Sequence, residues 1–256
     1  MVLPAPKRAQ NNGKRPYIVS AYSAGTRTQS AFSVHNETLN IWTQALAAVL
    51  FALQLVRAVH ARDVVLTGYT SAALGMFVCS ALYHATSAHS PEQHARAHAI
   101  DFFGIGLFVA TSQAAGVHYA FWCDAEARAA YLLLAAVLFG ICARVSLRQS
   151  QAQRWRWFAL SAALGGVPLL HHVLALHSGA HERTRAIEQA FVRAVGYYAL
   201  GFVFFVTHVP ERFAPGAFDI VAQSHQFWHL LVLGGALEYL HALRLAAAHN
   251  ARRVCV

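Results

Sequence analysis

Seven stretches of the chain are long and apolar enough to cross a lipid bilayer: residues 41–59, 64–86, 99–119, 129–147, 156–176, 188–208 and 218–243. A spanning helix needs about 20 mostly apolar residues, and each run comes to that length. The polar connections between them, HARD, HSPEQHARAH, FWCDAEAR, RQSQAQRWR, HSGAHERTRA and HVPERFAPG, leave no room for a second folded domain. Composition agrees, with 57% hydrophobic and 12% charged residues, where a soluble domain carries roughly 25% charged. The expected fold is all-α. It comprises a polar, basic cytosolic arm over residues 1–40, a seven-transmembrane helix bundle over 41–243 and a short C-terminal tail over 244–256. Such a chain is an integral, multi-pass protein of the plasma membrane or an endomembrane. The arm lacks the apolar stretch of a signal peptide, so the first span is expected to act as its own insertion signal.

Lys and Arg outnumber Asp and Glu by 20 to 11. The basic residues are scattered along span flanks, which suits anionic lipid and not a nucleic-acid stripe. Under the positive-inside rule the basic arm and the Arg154/Arg156 cluster place the N-terminus in the cytosol and the C-terminus outside. Cys79 and Cys142 fall in apolar runs, where a thiol behaves as a small hydrophobe. Cys123 and Cys255 can pair if both face an oxidising side.

Polar side chains inside the hydrocarbon are costly, so each is a candidate for function. They are Ser80 and His84 on the second span, Asp101 on the third, His225 and His229 on the seventh, then Gln113, His118, His171, His172, Arg193, His208 and Glu238. Because successive spans run in opposite directions, the end of the second and the starts of the third and seventh lie at one membrane face. His84, Asp101, His225 and His229 therefore share a layer. Four residues of helix return a side chain almost to its starting azimuth, so His225 and His229 point the same way, as do Ser80 and His84.

Three imidazoles and a carboxylate gathered in this way suit Zn²⁺ with a fourth position left for water. Asp101 would hold that water or accept its proton. The plainer reading, hydrogen-bonding core histidines, fits His118, His171, His172 and His208. Glu238 finds no assured partner in the sequence; Arg193 is one option, although an arginine there can equally snorkel to the interface.

The blocks FSVHNETLNIWTQ at 32–44, SALYHATSAHS with DFFGI within 80–105, and VPERFAPGAFDIVAQSHQFWH at 209–229, together with PYIVSAYS at 16–23, resemble the progestin and adipoQ receptor family. That family includes the adiponectin receptors and is related to haemolysin III-type membrane proteins. The resemblance implies an intracellular N-terminus and an intramembrane zinc near the cytosolic face. It implies His84, His225 and His229 as the ligands, Asp101 positioning the bound water, and Ser80 nearby. It makes Glu37 and Asn40 supporting motif residues, where ordinary helix capping by Asn36 or Thr38 is the alternative. Two positions depart from the family pattern: Gln44 stands where a histidine is common, and Phe102 where a tyrosine follows the aspartate.

The same ligand set serves two outcomes. Zinc-activated water would hydrolyse a lipid amide, ceramide being the substrate the resemblance suggests. Alternatively the metal ties two spans of a signalling receptor whose ligand is an extracellular protein or a steroid or other lipid. A channel or transporter is a weaker third reading, since broken helices in matched halves are expected there and LGGVPLL at 164–170 is the one interrupted span. No lysine lies in any span, which excludes a retinal Schiff base.

Overall fold

The computed structural model describes residues 32, 34–86, 91–148, 151–176, 182–252 and 254–255. The basic arm, including PYIVSAYS, lies almost entirely outside the described residues. Among the described residues eight helices of known bounds follow in order: α1 (Thr38–His60), α2 (Val64–Thr86), α3 (Pro91–Ala120), α4 (Ala125–Arg148), α5 (Gln151–Gly165), α6 (Val167–Leu176), α7 (Glu182–Thr207) and α8 (Ser224–Asn250). Six of them are individually long and apolar enough to cross a membrane. The protein is therefore an all-helical, multi-pass membrane protein.

The fifth expected span, 156–176, is not one continuous helix but the pair α5 and α6, broken at Gly165–Gly166. The cause lies in LGGVPLL. Pro168 has no amide hydrogen to donate, and its ring would clash with the carbonyl four residues earlier. The Gly166 amide turns back to the Ala163 carbonyl at 3.0 Å, and α6 restarts with Leu170 N–H on the Gly166 carbonyl at 3.0 Å. The seventh span is also displaced. Residues 218–223, read as its first turns, form bends and turn, and the helix runs from Ser224 to Asn250.

Polar residues set the turns. Between α1 and α2 the chain reverses through Arg62 at φ 55°, and Asp63 caps α2 by accepting the Leu66 amide at 2.9 Å. Asp124 caps α4 in the same way through the Ala127 amide at 2.9 Å. The core gathers where α1, α2, α3 and α8 meet. Phe51 lies 5.3 Å from Phe77, and Tyr69 lies 5.5 Å from Phe108 and 5.6 Å from Tyr239, measured between ring centroids. Outward faces are apolar too, with Leu46, Leu53, Leu133 and Leu200 exposed, as contact with lipid requires.

Glu238 does pair with Arg193: its carboxylate accepts from the guanidinium at 2.7 Å and joins α7 to α8. At the end of the bundle away from His84, Tyr119 donates to the Asp63 carboxylate at 2.8 Å, and Asn250 donates to the Tyr119 carbonyl at 2.9 Å. There Cys123 and Cys255 form a disulfide that closes the tail onto the α3–α4 connection. In a Cys255→Ser variant, Cys123 is expected to become alkylatable without reductant, whereas the unreduced parent yields a linked peptide by mass spectrometry. Thermal stability in detergent should fall by about 2 kcal/mol, the low end for a disulfide, because the spans restrain the unfolded chain as well.

Candidate metal centre

The start of α1 enters the membrane with three polar side chains on one face. Glu37 occupies the N-cap position, yet its side chain makes no capping bond. Instead its Oε2 accepts from Asn40 Nδ2 at 2.8 Å and lies 2.8 Å from His84 Nδ1. Glu37, Asn40 and His84 are buried, at 3%, 0% and 4% exposure, so the contact is made away from water. A carboxylate on Nδ1 holds the proton there and turns the lone pair of Nε2 outward, the usual preparation of a metal-binding histidine.

Thr43, one turn further on, prepares a second imidazole. Its hydroxyl donates to the Asn40 carbonyl at 3.1 Å and lies 3.1 Å from His229 Nδ1. With its own hydrogen committed, the oxygen is left to accept from Nδ1–H, which again makes Nε2 the atom with a lone pair to offer a metal. The third ring, His225, brings its Nε2 to 3.2 Å from His84 Nε2. Two nitrogens held tetrahedrally at 2.0–2.1 Å from zinc are themselves about 3.3 Å apart. His84, His225 and His229 offer ligand atoms that all lie within 4.8 Å of one another. The donor set and its spacing fit a metal ion of this type.

The register of α8 depends on the loop before it. Glu211 is fully buried and accepts from the Ser224 amide at 2.8 Å and from the Ser224 hydroxyl. A carboxylate at a helix N-terminus complements the unpaired amides and the dipole. Gln223 donates to the Asn36 carbonyl at 2.9 Å, and Gln226 donates to the Ile220 carbonyl at 2.7 Å. The start of α8 is thereby pinned to the start of α1, which sets His225 and His229 opposite His84.

Asp101 is 7% exposed, with Ser80 interacting with its carboxyl, and its Oδ1 has no hydrogen-bond partner among the described residues. Ser80, Asp101, His225, His229 and Gln44 line a single cavity of about 490 Å³ that is otherwise mostly apolar. The structure thus assembles the three histidines and puts Asp101 and Ser80 on the same cavity. Glu37 meets His84 directly and Asn40 meets Glu37, and the start of α1 has no side-chain capping bond. His118 and His171 lie toward the opposite end: His118 packs on Tyr119 and Trp122, and His171 Nδ1 lies 3.0 Å from the Tyr131 hydroxyl. Thr43, Glu211 and Gln223 were missed in the sequence. The one signal for Thr43 is its spacing from Glu37 and Asn40, three residues at a time along one helical face.

A family model described as haemolysin-III related matches residues 32–240. The chain is 31% identical to progestin and adipoQ receptor family member 3 of Mus musculus, over 85% of this chain and 77% of that protein. It is 29% identical to the adiponectin receptor protein of Drosophila melanogaster, over 96% of this chain and 59% of that protein, so it spans less than two thirds of the fly protein's length. It is also 29% identical to heptahelical transmembrane protein 3 of Arabidopsis thaliana, over 82% of this chain and 76% of that protein.

The hydrogen bond from His84 to Glu37 gives a direct test. Glu37→Ala removes the group that orients His84 Nδ1, and zinc affinity, measured by competition with a chromogenic chelator, should fall about 10- to 100-fold. Thr43→Val should lower it less, since a neutral hydroxyl is lost and not a charge.

Proposed function

The chain belongs to the haemolysin-III related family, and from that membership and the three-histidine cluster we propose a zinc-holding membrane protein of the adiponectin receptor type that hydrolyses lipid amides, with a ceramide-like lipid as the substrate. His84, His225 and His229 would hold the ion, at the cytosolic end of the bundle. The disulfide between Cys123 and Cys255 at the far end supports that orientation, because disulfides persist on oxidising faces. When bound to three imidazoles, zinc supplies Lewis acidity, polarising a carbonyl and making water more acidic.

The observation that carries the reading is Asp101, a buried carboxyl whose Oδ1 has no hydrogen-bond partner among the described residues, on the same apolar cavity as His225 and His229. Ser80 interacts with this carboxyl, and both residues line the cavity. Asp101 takes the proton of the attacking water and passes it to the departing nitrogen, so that amide and water become carboxylic acid and amine. The apolar walls exclude bulk water and receive the acyl chain. α5 and α7 both contribute walls to this mostly apolar cavity, which suits a lipid substrate.

The receptor reading rests on a different feature of the same cluster: the ligands come from α2 and α8, so metal would tie the two helices and bias their arrangement. Metal content tests the ligand set that both readings share, and turnover separates them. Metal analysis of purified protein should give close to one zinc per chain, and a His225→Ala/His229→Ala double variant should lose most of it; full retention defeats the ligand assignment. Asp101→Asn should keep its zinc while turnover of ceramide in reconstituted bilayers drops at least about 100-fold. A zinc-replete parent that turns over no lipid amide leaves the receptor reading in possession.

A further inference from the structure

The seam between α1 and α8 carries polar contacts at two levels. Near the histidines Thr43 meets His229, and toward the other end of the bundle the Arg244 guanidinium donates to Gln54 Oε1 at 2.9 Å. An arginine near the end of a membrane helix ordinarily extends its charged head into the headgroup layer. Arg244 is instead held against α1, half-buried beside the seam.

Arg57 stands next to it. Residues three apart share a helix face, so Arg57 follows Gln54 on the side of α1 that Arg244 approaches, one turn before the helix ends at His60. The two guanidinium groups are near enough to repel each other. Neither makes an ion pair among the described residues, whereas Arg193 does so with Glu238. Asp63, the acid at this end of α2, is taken up by the Leu66 amide and the Tyr119 hydroxyl. Two arginines brought together without a counter-charge make a seat for an anion, and their planar forks match pairs of phosphate oxygens.

On the histidine side of each arginine the lipid-facing surface is apolar. Leu230 and Leu237 precede Arg244 on α8 at seven-residue steps, which drift only about 20° each around the helix. Both are exposed, as are Leu46 and Leu50 on the turns of α1 that lead to Arg57. Leu46 to Arg57 measures about 16 Å of helix and Leu230 to Arg244 about 21 Å. One leaflet of hydrocarbon is about 15 Å deep. The seam therefore carries two cations near the headgroup level and, beneath them, a leucine surface as deep as a leaflet.

We propose that the seam between α1 and α8, at the end of the bundle away from the histidines, binds an anionic phospholipid. Arg57 and Arg244 hold its phosphate, and the leucines of the two helices take its acyl chains. A headgroup with a choline or amine of its own would bring a third cation to the pair, so a lipid of net negative charge is selected over phosphatidylcholine. Bound there, the lipid ties α1, which orients His84 and His229, to α8, which carries His225 and His229.

The test uses the full-length protein in maltoside micelles and follows thermal stability during titration with dioleoyl phosphatidylglycerol, dioleoyl phosphatidylcholine or inorganic phosphate. Phosphatidylglycerol should raise the melting temperature along a saturating curve, with half-saturation about tenfold or more below that of the other two. Arg57 is exposed and makes no hydrogen bond or ion pair among the described residues. Arg57→Gln should therefore leave the lipid-free melting temperature unchanged while moving half-saturation about tenfold higher, the loss of one charge-assisted contact. Arg244→Gln should weaken binding to a similar degree. Arg252→Gln, which removes the same charge from an exposed position at the same end, should leave the curve in place. The proposal is overturned if Arg57→Gln binds as the parent does, if Arg252→Gln is weakened as much, or if phosphatidylcholine matches phosphatidylglycerol. Inorganic phosphate as effective as the lipid overturns it too, leaving a seat for a free anion.

Discussion

A carboxylate buried at a membrane face is tolerable only when its oxygens are engaged, and Glu37 is engaged by the two groups that matter most to the site. Asn40 donates to Oε2 from the same helix, and His84 meets the same oxygen from α2, each at 2.8 Å. The contact orients His84, because the proton it keeps on Nδ1 leaves Nε2 facing His225. It also orders the chain. With Glu37, Asn40 and Thr43 spaced along one face, the first two turns of α1 serve one imidazole of α2 and one of α8. Rotating or sliding α1 would expose a buried charge and release both rings at once.

The remaining polar contacts of α1, α2, α3 and α8 hold that arrangement from both ends. At the histidine end, Glu211 and Gln223 lock the start of α8 to its loop and to Asn36. At the other end, Asp63, Tyr119 and Asn250 form a chain of hydrogen bonds across α2, α3 and α8, closed by the disulfide. Between the two lies the aromatic core around Phe51, Tyr69 and Phe77. The opposite side of the bundle is built differently. There the broken fifth span and α7 face each other across the cavity, with Trp155 and Phe202 rings 6.1 Å apart. α2 and α8 carry the nitrogens, while α5, α6 and α7 contribute walls of the cavity.

Membrane topology was legible because it depends on summed hydropathy over about 20 residues, a signal that single substitutions barely disturb. The histidine layer was legible for a related reason: alternation of spans and the i, i+4 return of a helix are geometric constants, and His225 and His229 differ by four. The break in the fifth span was visible as LGGVPLL, but whether Pro168 bends a helix or divides it depends on which neighbour takes up the freed polar groups. The start of α8 was misplaced because FDIV is apolar enough to read as helix, whereas the buried Glu211 draws the N-terminus to Ser224. Thr43 was invisible, since a threonine in an apolar helix ordinarily bonds its own backbone. Glu238 was ambiguous for want of any rule that says which face of α7 Arg193 occupies.

The chemistry of the cluster turns on how many protein ligands it offers. Structural zinc sites are closed, usually by four side chains, and contribute by holding elements together. Here the nitrogens that could hold a metal come from three imidazoles, two of them with their remaining ring nitrogen already met by Glu37 or Thr43. The acid on the cavity is Asp101, with which Ser80 interacts and whose Oδ1 has no hydrogen-bond partner among the described residues. If a metal is held there, a buried carboxyl on the cavity that His225 and His229 line is what the proposed hydrolysis requires, and what a site that only ties α2 to α8 would not.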